Sequence, residues 1–407
     1  AALAREAPSD VVARAYGGEA RPFGPNSLIP SPFDPRLILR IAPAVAKAAM
    51  DSGVARLPVE DIEAYTESLT RFVFRSGFIM KPLFTAAKAA PRRVIYAEGE
   101  DERVLRAVQA VVEEGLARPI LIGRPAVIET RLKRFGLSMT PKRDFDLINP
   151  DDDPRYRDYV ATFVELAGRK GITPDAARTL ARTNATVIGS LALMRGDADA
   201  LLCGLEGRFR SNLRHITDIV GFAPGLHQLA AMSLMVTSKG PYFLADTHVR
   251  PDPTAEEIAE MTISCASHVR RFGITPKVAL LSHSDFGSGD TDSSKKMRKA
   301  LALVRELEPD LEVDGEMAAD TALSQVIRDR VYPGSTLKGE ANLLVMPNLD
   351  AANIAFQFVR MLADALPVGP ILIGPSKPVH ILTPSVTARG IVNMTAVAVV
   401  EAQSGPA

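Results

Sequence analysis

Cysteine is almost missing from this chain. Its 407 residues hold two, Cys203 and Cys265, far apart and in no metal-ligand spacing. That argues against a disulfide framework or a thiolate metal site and leaves two reduced thiols of a cytosolic protein. Net charge is missing as well: 48 Lys and Arg balance 48 Asp and Glu, so no overall field draws the chain to nucleic acid or to an anionic membrane. No apolar run is long enough to span a bilayer and no charged-then-apolar leader is present, which points to the cytoplasm. One local shortage matters most. Between Ser376 and Asn393 there is no carboxylate, although the stretch carries Lys377, His380, Thr383, Ser385, Thr387 and Arg389.

What is there is the make-up of an ordinary globular protein, 46% hydrophobic and 24% charged, long enough for two or three domains. The chain starts at Ala1 inside a helical pattern and without Met, and reads as a piece of a longer polypeptide. Up to about Phe84 the pattern is a helix Ala1–Tyr16, a Pro-rich extended strap from Arg21 to Arg36, and helices Ile38–Ser52 and Pro58–Phe78. From Arg92 short apolar strands alternate with helices, the mark of parallel α/β layers covered on both faces. Strands are expected at 93–97, 119–123 and 200–204. A second α/β unit follows, with strands at 233–237, 242–245, 277–282, 311–314, 342–346 and 370–373 and helices at 254–272, 293–308, 320–331 and 351–365. The segment 376–393 is then a loop leaving the carboxyl end of the last strand, where open α/β sheets hold ligands.

Several constellations have competing readings. The loop Ser282-His283-Ser284-Asp285-Phe286-Gly287-Ser288 could offer hydroxyl and N–H groups to a phosphate, or could simply start a helix capped by Asp292, Ser293 or Ser294. A Ser-His-Asp triad of His283 and Asp285 with Ser282 or Ser288 fails because neighbours on one loop point apart, and no Gly-x-Ser-x-Gly elbow exists. Asp246 with His248, and Glu340 with Asp350, lack tight metal spacing and read as solvated loop residues. Arg208, Arg210 and Arg214 beside a strand end suit either anion recognition or surface salt bridging.

Long motifs in order carry a resemblance. They are Tyr96-Ala97-Glu98-Gly99-Glu100-Asp101-Glu102-Arg103, Gly196-Asp197-Ala198-Asp199-Ala200, the run Lys338 to Ile354, Gly369 to Gly374, and Lys377-Pro378-Val379. Residues 92–403 resemble the phosphotransacetylase family, which exchanges acetyl between coenzyme A and phosphate. The resemblance implies two three-layer α/β domains, the second inserted in the first, with a ligand cleft between them and a dimer. The boundaries it implies are 1–84 for a helical and extended tail, 85–224 with 374–407 for domain I, and 225–373 for domain II. It places acetyl-CoA contacts on Arg214, Ser284, Phe286, Gly287, Ser288, Asn348, Asn353, Lys377, Pro378, His380 and Thr383. It also exposes departures. The family's Leu-Ser-Arg-Gly is Leu382-Thr383-Pro384-Ser385, its Asp before Ile-Val-Asn is Gly390, and its Arg in Leu-Arg-x-x-Lys-Gly is Ala167, with Arg169 close by. The family assigns deprotonation of the thiol to that Asp, and phosphate binding with charge stabilisation to that Arg. Gly390 and Pro384 can supply neither.

The first segment resembles the end of a bacterial malic enzyme domain through Ser9 to Gly18, Leu28 to Leu37 and Val45 to Ala55. A malic enzyme tail fused to a phosphotransacetylase-like region is the arrangement of the hybrid malic enzymes. By this resemblance, acetyl-CoA is an effector of the phosphotransacetylase-like part, which restrains a malic enzyme domain in cis. NADP and Mg or Mn serve the missing catalytic part, and the chain assembles as a homodimer or higher oligomer. The alternatives are an active phosphate acetyltransferase and a purely structural oligomerisation domain.

Overall fold

In the computed structural model, residues 36–59 and 61–404 are described. The chain divides into two compact units, Ala1–Thr85 and Ala86–Ala407. The expected helix Ala1–Tyr16 and the Pro-rich strap up to Pro35 lie outside the described residues. In the first unit α1 (Arg36–Asp51) carries an i,i+4 pair between Lys47 and Asp51. Its successor α2 (Ile62–Ala89) starts where the Asp61 carboxylate accepts the N–H groups of Glu63 and Ala64. The sequence predicts an end near Phe78, but the helix runs on through Pro82 to Ala89. Burial of Met80, Leu83 and Ala87 offsets the lost hydrogen bond at the proline.

The second unit begins with β1 (Arg92–Tyr96), α3 (Glu102–Glu113), β2 (Ala117–Ile122), α4 (Pro125–Phe135), β3 (Asp146–Ile148), α5 (Tyr156–Ala167), α6 (Pro174–Thr183), α7 (Ala185–Met194), β4 (Ala200–Cys203) and α8 (Phe209–Ile219). Thr173 caps α6 as expected, accepting the Ala176 N–H, with Pro174 in the first helical position. The chain continues through β5 (Ala230–Val236), β6 (Pro241–Ala245), α9 (Ala255–Arg271), β7 (Val278–Leu281), α10 (Asp292–Leu307), β8 (Val313–Met317), α11 (Ala319–Leu323), α12 (Gln325–Val331), β9 (Leu343–Val345), α13 (Leu349–Leu362) and β10 (Leu366–Ile373). It ends on β11 (Val379–Ile381) and α14 (Ala388–Ser404).

These strands form two sheets, β11-β4-β1-β2-β3 and β10-β5-β6-β9-β7-β8. The first is parallel throughout. The second is mixed: β10 and β6 each run antiparallel to β5, and the remaining pairs are parallel. The parallel sheet expected after Arg92 is the first of these. Four residues, Thr237 to Gly240, join β5 to β6, too few for a crossover, so a hairpin forms and the Thr237 N–H closes on the Gly240 carbonyl at 2.9 Å. The helix expected over 320–331 is broken at Ser324, whose hydroxyl caps α12 by accepting the Ile327 N–H. Residues Val379–Ile381, inside the expected loop 376–393, form β11.

The first lobe's core gathers Ile95, Phe163, Val187, Ile188, Leu191, Leu201, Val379 and Ile381. Fully burying each such side chain contributes about 1.5–3 kcal/mol. Helix α7 is buried on every face from Thr186 to Leu193. The second lobe closes on Leu244, Ala279, Met317, Leu344 and Phe356.

Candidate functional site

From β1 the chain moves outward to β2 and β3, then returns past β1 to β4 and finally β11. Strands β1 and β4 therefore send their connections to opposite sides, and a crevice opens at their carboxyl ends. Three segments reach it: Glu98-Gly99 after β1, Gly204–Arg208 after β4, and Leu382–Thr387 after β11. Gly204 has φ +95°, and a Cβ there would lie 2.6 Å from Ile381 Cγ2 and 2.8 Å from the Leu382 carbonyl oxygen. Only glycine fits both restrictions. Glu98 Oε1 accepts the Gly204 N–H at 2.8 Å. Burial pushes the Glu98 carboxyl up to about 7, against the N–H groups of Gly204 and Glu206 that pull it down.

Arg103 organises the last segment. Its Nη1 donates to the carbonyls of Pro384 (2.6 Å) and Val386 (3.3 Å), while Nε and Nη2 donate to the Asp101 carboxylate at 3.1 and 2.8 Å. Asp101 is itself the N-cap of α3. Burial alone would raise the Asp101 carboxyl, but the guanidinium outweighs it and holds it below the usual range. Thr383 Oγ1 lies 3.2 Å from Ser385 Oγ. Gly390 sits in the first turn of α14, and a Cβ there would be 2.8 Å from Val386 Cγ2. Ala167, at the end of α5, is fully buried in the first lobe's core, and Arg169 beyond it is exposed.

The opposite wall comes from the second lobe, after β6. Asp246 accepts the N–H groups of Ala231, His248, Val249 and Arg250 at 2.8–3.0 Å. Burial raises its carboxyl even so. The fold thereby locks the 246–250 loop, and its Val249 packs onto the first lobe's core. His248 lies between two phenyl rings, 5.2 Å from Phe209 at the start of α8 and 6.0 Å from Phe356 on α13. Burial pushes it down to about 4. Reading Asp246 and His248 as solvated is thus corrected: one is a buried loop anchor and the other an uncharged wedge between the lobes.

The expected contact residues divide. Thr383 and Pro384 stand at the crevice. Asn348 and Asn353 stand on its second wall, but Asn348 caps α13 by accepting the Ala351 N–H and Asn353 donates to the Thr247 carbonyl at 3.2 Å. Arg214 lies one turn into α8, exposed, with its Nε 3.7 Å from Asp218 Oδ2. Arg208 and Arg210, at the start of the same helix, are exposed as well.

His380 is fully buried: its Nδ1 accepts the Leu372 N–H at 3.1 Å, and its Nε2 lies 3.0 Å from Glu401 Oε2. Lys377 and Pro378 precede β11 and lie at the amino edge of the parallel sheet, a strand's length from Thr383. Ser284, buried, donates to Glu316 Oε1 at 2.7 Å, and the Gly287 N–H reaches the same oxygen at 2.9 Å. A carboxylate of the chain itself thus fills the place a bound anion would take. Phe286 packs on Tyr332, and Ser288 Oγ accepts the Asp285 N–H. The cap of α10 is Thr291, not one of the three residues after it. Sequence reasoning missed Glu98, Arg103 and Phe209 and gave His248 no place between the lobes. A carboxylate directly after a buried strand was the available signal for the first of these.

Two open sheets meeting edge to edge at β10 and β11 define a bilobal α/β protein. The sequence model described as Phosphate acetyl/butaryl transferase matches residues 78–399, and the chain belongs to that family. A phosphotransacetylase from Streptococcus pyogenes superposes with a TM-score of 0.76 at 29% identity, covering 80% of this chain and 98% of that one. Similarity also runs beyond the family region. An NAD-dependent malic enzyme of Rhizobium meliloti is 63% identical over 402 residues, 98% of this chain and 52% of the relative. An NADP-dependent malic enzyme of Escherichia coli is 49% identical over 407 residues, 100% of this chain and 54% of the relative. The chain spans about half the length of the malic enzymes it matches.

Proposed function

We propose that the chain is the regulatory part of a malic enzyme, a phosphotransacetylase crevice that binds acetyl-CoA without turning it over and thereby inhibits the oxidoreductase. One observation carries this reading. At the positions where the family resemblance expects a proton acceptor and a cation stand Gly390 and Pro384, and the guanidinium beside them, Arg103, is committed to Asp101 and two carbonyls. A general base commonly supplies at least a factor of about 100, and electrostatic stabilisation about as much. Glu98 keeps a proton near neutrality, but it is held beneath the 204–206 loop.

Malic enzyme relatives along the whole chain support the assignment of the parent activity. That activity is oxidative decarboxylation of malate to pyruvate, with NADP and Mg or Mn held outside this chain. Among the described residues no group of three His, Cys, Asp or Glu side chains is placed to hold a metal. A homodimer through the phosphotransacetylase-like region and a cytoplasmic location complete the proposal. Among the described residues no helix is long and apolar enough to cross a membrane.

The test is calorimetric titration of the chain with acetyl-CoA. Saturable heat together with a thermal shift is expected, and no heat and no shift at about millimolar ligand, the weak limit near −4 kcal/mol, would refute it.

A further inference from the structure

Helix α13 is apolar on two faces, and the fold covers one of them. Of its 14 residues only Asp350, Asn353, Gln357 and Arg360 are polar, a composition that suits burial on more than one side. Its inner face packs toward β5 and β6 through Ala352 and Phe356, both buried. The outer face shows Ile354, Phe358, Met361 and Leu362, whose spacing lines them up along one stripe. They are 55%, 60%, 75% and 81% exposed. A large apolar side chain exposed singly is ordinary, whereas a contiguous patch marks a contact surface.

The size and charge of the patch match a second copy of this chain. At about 150 Å² for a large side chain, these exposures leave about 400 Å² of apolar surface. A standard interface takes about 800 Å² from each partner, about 65% of it apolar between identical subunits. One helix face therefore supplies most of the apolar area a stable dimer requires, and the exposed Gln357 and Asp364 at its border are rim. A two-fold interface must also be complementary to itself. An uncharged stripe meets that condition, since no like charges face each other across the axis. Asp350 lies in the first turn of the helix and Arg360 in the last. Among the described residues neither has an ion-pair partner within the chain. Antiparallel packing sets the acidic end of one helix toward the basic end of the other, with the helix dipoles opposed. Positive and negative charges balance over the whole chain, so two copies do not repel.

We propose that the outer face of α13 is an interface between two copies of this chain, helix packed on helix about a two-fold axis near Phe358. The inference rests on the homodimer of the proposed function, to which it gives a surface, and is independent of acetyl-CoA binding. On the inner side of the same helix Asn353 donates to the Thr247 carbonyl, and the Phe356 ring lies 6.0 Å from His248. The second copy thus seats on the back of the helix that walls the crevice.

Sedimentation equilibrium of the 407-residue chain without ligand, from about 1 to about 100 μM, tests it. The unmodified chain is expected to associate to at least twice its 43.8 kDa. Met361→Glu places two carboxylates in the apolar contact and should weaken association at least about tenfold. Its far-UV circular dichroism should stay unchanged, because the side chain lies outside the core. Should that variant not fold, Leu362→Lys carries the same expectation. A monomer across the whole range would overturn both the homodimer and this surface, leaving the face to another part of a longer polypeptide. An assembly undiminished in a folded variant would overturn the surface alone and leave the homodimer standing.

Discussion

Placing a carboxylate at position 390 is a demanding perturbation, because Val386 crowds the site of its Cβ. A Cβ at Gly390 would stand 2.8 Å from Val386 Cγ2, where carbon atoms ordinarily rest at about 3.5–4.0 Å. Val386 is β-branched and stiff, and Arg103 holds its carbonyl. Overpacking of this kind costs about 1–3 kcal/mol. Replacing glycine inside a helix and adding an anion to its first turn return about 0.5–1 kcal/mol. Gly390→Asp is therefore expected to destabilise by about 1 kcal/mol net. Combined with Val386→Ala, which removes the clashing methyl groups, it should do no further harm. The two substitutions would then show a favourable coupling of about 1 kcal/mol in a double-mutant cycle. Urea denaturation of the four proteins measures it. The acetyl phosphate assay on the same proteins should stay silent, since Pro384 still supplies no cation. Additive stabilities would refute the steric argument, and turnover gained by Gly390→Asp alone would refute the chemical one.

Further consequences can be measured directly. Gly204→Ala places a methyl against Ile381 and Leu382 in a left-handed backbone, and should cost about 3 kcal/mol in urea melts from strain and overpacking together. Arg103→Met should loosen the 382–387 segment by removing two hydrogen bonds to carbonyls, and amide hydrogen exchange there should speed up while α7 stays protected. Glu98 binds its proton more tightly in the folded chain than a free carboxyl with the ordinary value of 4.5. The folded state thus holds more protons between about 4.5 and about 7, and stability falls as pH rises through that window. Glu98→Gln should flatten this slope, and an unchanged slope would remove Glu98 from the account.

Much of this architecture is legible in the chain. Short apolar runs such as Val94-Ile95-Tyr96 announce buried parallel strands, and Thr173-Pro174 announces a helix start. The departures at Pro384 and Gly390 need only residue identity. What stays hidden depends on three-dimensional placement. His380 has the same polar side chain whether it meets a ligand or a core carboxylate, and only the pairing of β11 with β4 decides between them. The loop at 282–291 reads as an anion nest because nothing local reveals that Glu316, more than twenty residues on, fills it. The hairpin of β5 and β6 is signalled by the short connection between them, too brief for a crossover. His248 is short of any motif, and its wedge position follows from two phenyl rings far away in sequence.

The central claim is that this crevice has kept binding and lost transfer, and its most direct test is the rate of acetyl phosphate formation from acetyl-CoA and phosphate at saturating substrates. Losing a base and a cation, each supplying a factor of about 100, should take a typical turnover of about 10 per second down to about 0.001 per second. A rate at or below that level is predicted; turnover above about 1 per second would contradict it.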